Sequence, residues 1–353
     1  MLGYYPRMFW KSALVVVSVA ALALAPAVSA QAGTDDSVIV KACEIVLSTE
    51  SSVDRISGAD RYEVSARISA ENFSPHVPIA FVASGTSFPD ALSGAAAAGK
   101  LGGPVLLVGP GDEASAAVRD ELTRLQPDKI VVLGGTASVS TALELTMERF
   151  APSVRRVSGA DRFEVSAELA RQVFSTTART IYVASGEVFP DALSAAAAAG
   201  DASAPVLLVK KNEVPPAVES YLDSQGILDQ IVLVGGPATV SDTVARDLAK
   251  FARLQGIQGA DRFAVSAATS GWQFCTDRHT VFIASGEVFS DALSGSAAAI
   301  AQGGPVLLVS KNDISLQVEQ ELRRLNPQHI VVLGGENTIS KALELKLADY
   351  LRK

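Results

Sequence analysis

Ser57-Gly58-Ala59-Asp60-Arg61 decides how this chain is read, because the sequence writes it again as Gly159-Ala160-Asp161-Arg162 and Gly259-Ala260-Asp261-Arg262. Each copy is followed 29 residues later by an aspartate heading Asp-Ala-Leu-Ser, at Asp90, Asp191 and Asp291. Each period then closes in a Gly-Gly pair after an apolar run, at Gly134-Gly135, Gly235-Gly236 and Gly334-Gly335. One such tetrapeptide would carry no information. Three landmarks in register, three times over, mean one module used three times. A period of about 100 residues is domain-sized, well beyond the 20–50 residues of solenoid repeats.

Within a period, apolar runs alternate with helical patterns. In the second, Arg156-Val157-Ser158 reads as a short strand entering the Gly-Ala-Asp-Arg turn, and Phe163–Phe174 follows at helical spacing. Then come a strand at Ile181–Ala184, an Ala-rich helix at Asp191–Ala199 and a strand at Pro205–Val209. A proline-opened helix at Pro216–Ser224, a strand at Ile231–Val234 and a closing helix at Ser241–Phe251 complete it. In the first period Ile79–Ala83, Val105–Val108 and Ile130–Leu133 are apolar throughout. Strands buried on both faces belong to parallel sheets covered by helices, so the class is α/β, with small doubly wound units. The expected boundaries are 53–152, 153–253 and 254–353, with short linkers at Ala151-Pro152-Ser153 and about Ala252-Arg253-Leu254. Modules joined so tightly are expected to close into a compact body of approximate threefold symmetry.

Residues 1–32 read as a secretory signal: Arg7 and Lys11, an apolar run from Ala13 to Ala25, then small residues with expected cleavage after Ala30 or Ala32. The run stops at Pro26, short of the roughly 20 residues of a membrane span, so no membrane association is expected after cleavage. Removing those two cations takes the formal charge from −8 to −10, which argues against a nucleic-acid partner. Residues 33–52 form a short N-terminal segment, too small for a catalytic domain. Its Cys43 and the later Cys275 are the only cysteines. They are too few for a disulfide framework, although one bridge between them is compatible with export.

The candidate contact residues are those of the repeated motifs. Asp60-Arg61, Asp161-Arg162 and Asp261-Arg262 stand between a strand and a helix, where ligands meet α/β sheets. Arginine suits planar contact with carboxylate or phosphate, and Arg55 and Arg156 add a second cation to the first two copies. The same Asp-Arg pairs also suit a capping role, and both readings stand. Asp90, Asp191 and Asp291 read first as helix caps and second as contacts. The Gly-Gly pairs turn the chain or offer amides to an anion. Gly94-Ala95-Ala96-Ala97-Ala98-Gly99-Lys100 imitates a phosphate-binding loop but continues with Leu101 and lies inside a helix, so it is not one. His76, His279 and His329 occupy unrelated positions without metal-ligand spacing, and no nucleophile motif is present beyond the signal. No catalysis, metal or cofactor is expected.

Arg55-Ile56-Ser57-Gly58-Ala59-Asp60-Arg61, Phe88-Pro89-Asp90-Ala91-Leu92-Ser93, Pro104–Val108 and Val131–Gly135 resemble the type-2 cell-wall-binding repeat of Gram-positive bacteria, over nearly all of 53–353. The resemblance implies three tandem Toprim-like parallel-sheet modules in a pseudo-threefold triangle. It implies non-covalent attachment of an exported protein to an anionic secondary wall polysaccharide at the cell surface, often alongside a wall hydrolase such as an amidase. Two positions depart from the pattern. Gly256 stands where Arg55 and Arg156 do, and Ser290 replaces Pro89 and Pro190, so weaker binding by the third module, or a structural role for it, is expected. A hydrolase or hydrolase accessory, and a two-lobed small-molecule receptor, are the rival readings; three repeats disfavour the receptor.

Overall fold

The computed structural model describes residues 50–87, 89–174 and 178–353. The expected signal, Cys43 and most of the 33–52 segment lie outside them. The first period carries β1 (Ser52–Ile56), α1 (Arg61–Asn72), β2 (Ala80–Ser84), α2 (Gly94–Leu101), β3 (Val105–Val108), α3 (Ala116–Leu125), β4 (Ile130–Leu133) and α4 (Thr141–Met147). The second runs β5 (Val154–Val157), α5 (Arg162–Phe174), β6 (Thr180–Ser185), α6 (Pro190–Asp201), β7 (Val206–Val209), α7 (Pro216–Asp223), β8 (Gln230–Val234) and α8 (Asp242–Leu248). The third repeats the order with β9 (Arg253–Ile257), α9 (Arg262–Gln273), β10 (Thr280–Ser285), α10 (Phe289–Ala301), β11 (Val306–Val309), α11 (Leu316–Leu325), β12 (His329–Leu333) and α12 (Lys341–Leu347). Arg253-Leu254, expected as linker, begins β9, and the helix expected over Ser241–Phe251 ends three residues early at Leu248.

Three four-stranded sheets form, and every pairing among the described strands is parallel. The sheets do not coincide with the sequence periods. Their orders are β3-β2-β4-β5, β7-β6-β8-β9 and β1-β12-β10-β11. Each period therefore lends its first strand to the preceding module, and β1 closes the circle by lying on β12, with Ser52 opposite His329 and Ile56 opposite Leu333. The amides of Gly134, Gly235 and Gly334 extend these joints by donating to Val157, Ile257 and Ile56 carbonyls at 2.8–2.9 Å. Head-to-tail interfaces that close leave no unpaired end.

The inner strands are largely buried and built mainly of Val, Ile, Leu and Ala, with Phe81, Tyr182 and Phe282 among them, as both-face coverage requires. Burying each of the larger side chains contributes about 1.5–3 kcal/mol. One face carries α1, α5 and α9, whose buried serines reach the edge of the sheet. The hydroxyls of Ser65, Ser166 and Ser266 accept the amides of Leu107, Leu208 and Leu308 at 3.0–3.1 Å. They satisfy donors on an edge strand that no neighbouring strand can pair.

The Ala-rich helices α2, α6 and α10 pack on one another, and each also packs on the next module's first helix: α2 on α5, α6 on α9, α10 on α1. That cyclic pattern is the expected pseudo-threefold arrangement. Where α2 and α6 have Gly99 and Gly200, α10 has Ile300. A methyl at Gly99 would lie 2.7 Å from Ile300 Cβ, and one at Gly200 2.2 Å from its Cδ1. One isoleucine knob thus fills the space that two glycines leave.

Candidate functional site

The Gly-Ala-Asp-Arg motif opens α1, α5 and α9. Its aspartate is a cap: Asp60 Oδ1 accepts the amides of Tyr62 and Glu63, Asp161 Oδ1 those of Phe163 and Glu164, and Asp261 Oδ1 those of Phe263 and Ala264, all at 2.8–3.0 Å. Glu63 and Glu164 reach back to the Ala59 and Ala160 amides, which makes the first two turns reciprocal caps. The third copy has Ala264 in that place.

The arginine after each cap turns towards a module boundary. Arg61, Arg162 and Arg262 each donate one Nη1–H to the carbonyl of Gly85, Gly186 or Gly286 at the end of the next strand. The Arg61 guanidinium also lies 5.7 Å from the Phe289 ring of the third module, and that of Arg262 5.9 Å from the Phe189 ring of the second. Those two rings are 6.1 Å apart, so the two boundary sites adjoin one another.

Opposite Arg262 and Arg61 lie Asp191 and Asp291 of the neighbouring modules, and Asp90 is their counterpart in the first module. These aspartates are not the helix caps expected from the sequence. Asp90 lies in a short 3-10 turn before α2, while Asp191 and Asp291 fall inside the first turns of α6 and α10, behind Phe189 and Val288 at the cap positions. Their carboxylates turn to the Gly-Gly loops: Asp90 Oδ2 accepts the Ser138 hydroxyl at 2.8 Å and Asp191 Oδ2 that of Thr239 at 2.7 Å. The first glycine of each loop has φ of +94°, +118° or +97°. A methyl there would stand 2.2–2.5 Å from the carboxylate Oδ2, so both backbone and space demand glycine.

Asp191 and Asp291 are 4% and 5% exposed. Burial pushes both carboxyls above their ordinary 3.8; the Thr239 hydroxyl and Arg262 oppose the shift for Asp191, and Ser290 and Arg61 for Asp291. Asp191 of the second module and Arg262 of the third line one cavity of about 250 Å³. Three motifs far apart in sequence therefore converge, and they do so between modules. Each composite site takes its arginine from one module and its aspartate and loop from the preceding one, and α5 likewise packs on the 3-10 turn that carries Asp90.

Arg55 and Arg156 belong to a different construction. Arg55 donates to Glu344 Oε2 at 2.7 Å and to the Gly334 and Ile339 carbonyls at 2.7 and 2.9 Å. Arg156 donates to Glu144 Oε2 at 2.8 Å from Nη2 and 2.9 Å from Nε, and to the Gly134 carbonyl at 2.7 Å. Both arginine side chains are only 12% exposed. Each clamps a lent strand to the Gly-Gly loop and last helix of the module it joins. At the third such joint both partners are gone, since Gly256 faces α8, where Ala245 replaces the glutamate. Gly256 thus marks a missing clamp. Sequence reasoning had no access to this pairing, nor to Phe189 and Phe289 as partners of the arginines. Cys275 is held in a disulfide; the other cysteine of the chain lies outside the described residues.

The Cell wall binding domain 2 (CWB2) family model matches residues 55–144, 156–245 and 257–344. A Bacillus subtilis N-acetylmuramoyl-L-alanine amidase, LytC, is 25% identical over 303 residues, 86% of this chain and 58% of its own. A Bacillus subtilis amidase enhancer is 28% identical over 297 residues, 84% of this chain and 40% of its own. The chain thus spans about half the length of these relatives. Among solved structures, Cwp6 from Clostridium difficile superposes with a TM-score of 0.80 at 23% identity, over 90% of this chain and 51% of that one. Cwp8 from the same organism gives 0.76 at 26%, over 85% and 51%.

Proposed function

Because this chain belongs to the cell wall binding domain 2 family, we propose that it holds an exported protein to the bacterial cell wall, binding an anionic secondary wall polysaccharide through the composite sites between its modules. The observation that carries this reading is the recurrence, at successive boundaries, of an arginine beside an aromatic ring and a buried aspartate of the preceding module. A guanidinium with one N–H committed to a carbonyl and its face near a ring is oriented to receive an anion. The chain is acidic overall, so attraction to a polyanion has to be local. A polymer that repeats its charge meets repeated weak sites with high effective concentration, and avidity multiplies modest contacts.

In this proposal the sites bind without turnover, with Arg61, Arg162 and Arg262 as the contact residues. Asp60, Asp161 and Asp261 serve by fixing the helices that carry them, and Asp90, Asp191 and Asp291 by holding the loops. The similarity to an amidase and an amidase enhancer favours a wall hydrolase as a working partner. Co-sedimentation with purified Gram-positive walls tests the proposal. Binding before, and not after, chemical removal of the secondary polymer is expected; retention by stripped walls would overturn the polysaccharide assignment. A clearing band from the purified chain in a wall zymogram would overturn the non-catalytic one.

A further inference from the structure

The missing clamp at the second sheet alters the pocket beside it. Gly256 and Ala245 leave the strand-to-loop joint open, and Gln258, which replaces Ser57 and Ser158, leans over the gap. Its Nε2 is 3.7 Å from where a Gly256 Cβ would stand, and its Oε1 4.0 Å from the same point on Gly236. Gln258 is exposed. Nearby, the Ser241 hydroxyl is buried without a partner, whereas Ser140 and Ser340 cap their helices. The second loop has been rebuilt, not merely trimmed.

The result is the cavity of about 250 Å³ between the second and third modules. Val188, Pro190 and Pro237 give it an apolar side, with Val188 39% exposed. Asp191, Arg262 and the open amide of Gln258 give it a polar one. That volume is below the roughly 300–1,000 Å³ of pockets that enclose drug-sized ligands, which limits an occupant to about one sugar ring. A pyranose has the same division, with C–H faces and a hydroxyl edge. One guanidinium, opposed by a carboxylate that burial pushes towards its neutral form, admits one anionic group.

We propose that this pocket holds a single sugar ring bearing one anionic substituent, with Arg262 on the anion and the Gln258 amide on ring hydroxyls. The inference rests on the proposed wall-polymer reading and deepens it: the second-to-third boundary reads the sugar, whereas a boundary without such an amide reads charge.

The test is a titration of the whole chain, followed by NMR, with glucose 1-phosphate, N-acetylglucosamine 1-phosphate and inorganic phosphate. At least one sugar phosphate is expected to bind about tenfold more tightly than phosphate, the worth of one or two added hydrogen bonds. Gln258→Ser is expected to erase that advantage and leave phosphate binding unchanged. The pair Gly256→Arg with Ala245→Glu restores the clamp, displaces Gln258 and is expected to do the same without lowering the melting temperature. Equal binding of phosphate and both sugar phosphates, or a sugar preference that survives Gln258→Ser, would overturn the proposal. Wall co-sedimentation separates the two levels. Wild-type chain that fails to sediment with intact walls removes the polymer reading and this inference with it. Sedimentation that persists beside an absent sugar preference removes this inference alone.

Discussion

Arginines six residues apart in one motif have different partners. Arg55 and Arg156 are enclosed in hydrogen bonds to the protein; Arg61, Arg162 and Arg262 have one such bond and stand at boundaries. Removing one member of a largely buried ion pair costs about 3–5 kcal/mol. Arg55→Ala and Arg156→Ala are therefore expected to lower the melting temperature in thermal scans by an amount of that order, while the folded fraction keeps its affinity for walls. The buried aspartates give a second prediction. Burial raises Asp191 and Asp291 above 3.8, so the folded chain holds their protons more tightly than the unfolded chain. The stability they contribute is complete below that value and is lost as pH rises through their folded pKa values. Asp191→Asn and Asp291→Asn should each flatten the fall of melting temperature above pH 3.8. A profile identical to wild type would show that neither carboxyl is strained. For Arg55 this division was hidden in the sequence, because its partner is 289 residues away across the closing joint; Arg156 has Glu144 only 12 residues back, but nothing in that spacing marks the two as a pair.

At the scale of the element, strands were read well and ends poorly. Val105–Val108 and Ile130–Leu133 coincide with β3 and β4 because continuous apolar runs are set by burial on both faces. The aspartate before each Ala-rich helix looked like a cap, since local sequence rewards that reading. The carboxylate instead follows the glycine loop, a tertiary contact 48 residues on for Asp90 and Ser138. The packing of α2, α6 and α10 yields a prediction of its own. Gly99→Ala places a methyl 2.7 Å from Ile300 Cβ, too near a branch point for the side chain to swing clear. Overpacking of this kind costs about 1–3 kcal/mol. Denaturant unfolding should show that cost for Gly99→Ala alone and its recovery in Gly99→Ala with Ile300→Ala. Additive losses in the double variant would mean that the helices do not meet through this knob.

For the whole molecule, the repeat was visible as a period, but the offset between period and sheet was not, because strand lending leaves no mark in sequence. The closure by β1 on β12 predicts that a chain beginning after Ile56 loses its last joint together with the Arg55 clamp. Small-angle scattering should then report a larger, less uniform particle; an unchanged profile would show that closure is dispensable. The proposed sites belong to the same scale, since each draws residues from two modules. The most direct test is a set of wall-binding isotherms, with thermal melts, on Arg61→Ala, Arg262→Ala and Arg156→Ala. The first two are expected to weaken binding by about 1–3 kcal/mol, the worth of a charge-assisted contact, at near-normal melting temperature, and the third to melt early but bind normally once folded. Boundary-arginine variants that bind walls like wild type would rule out binding at the module boundaries.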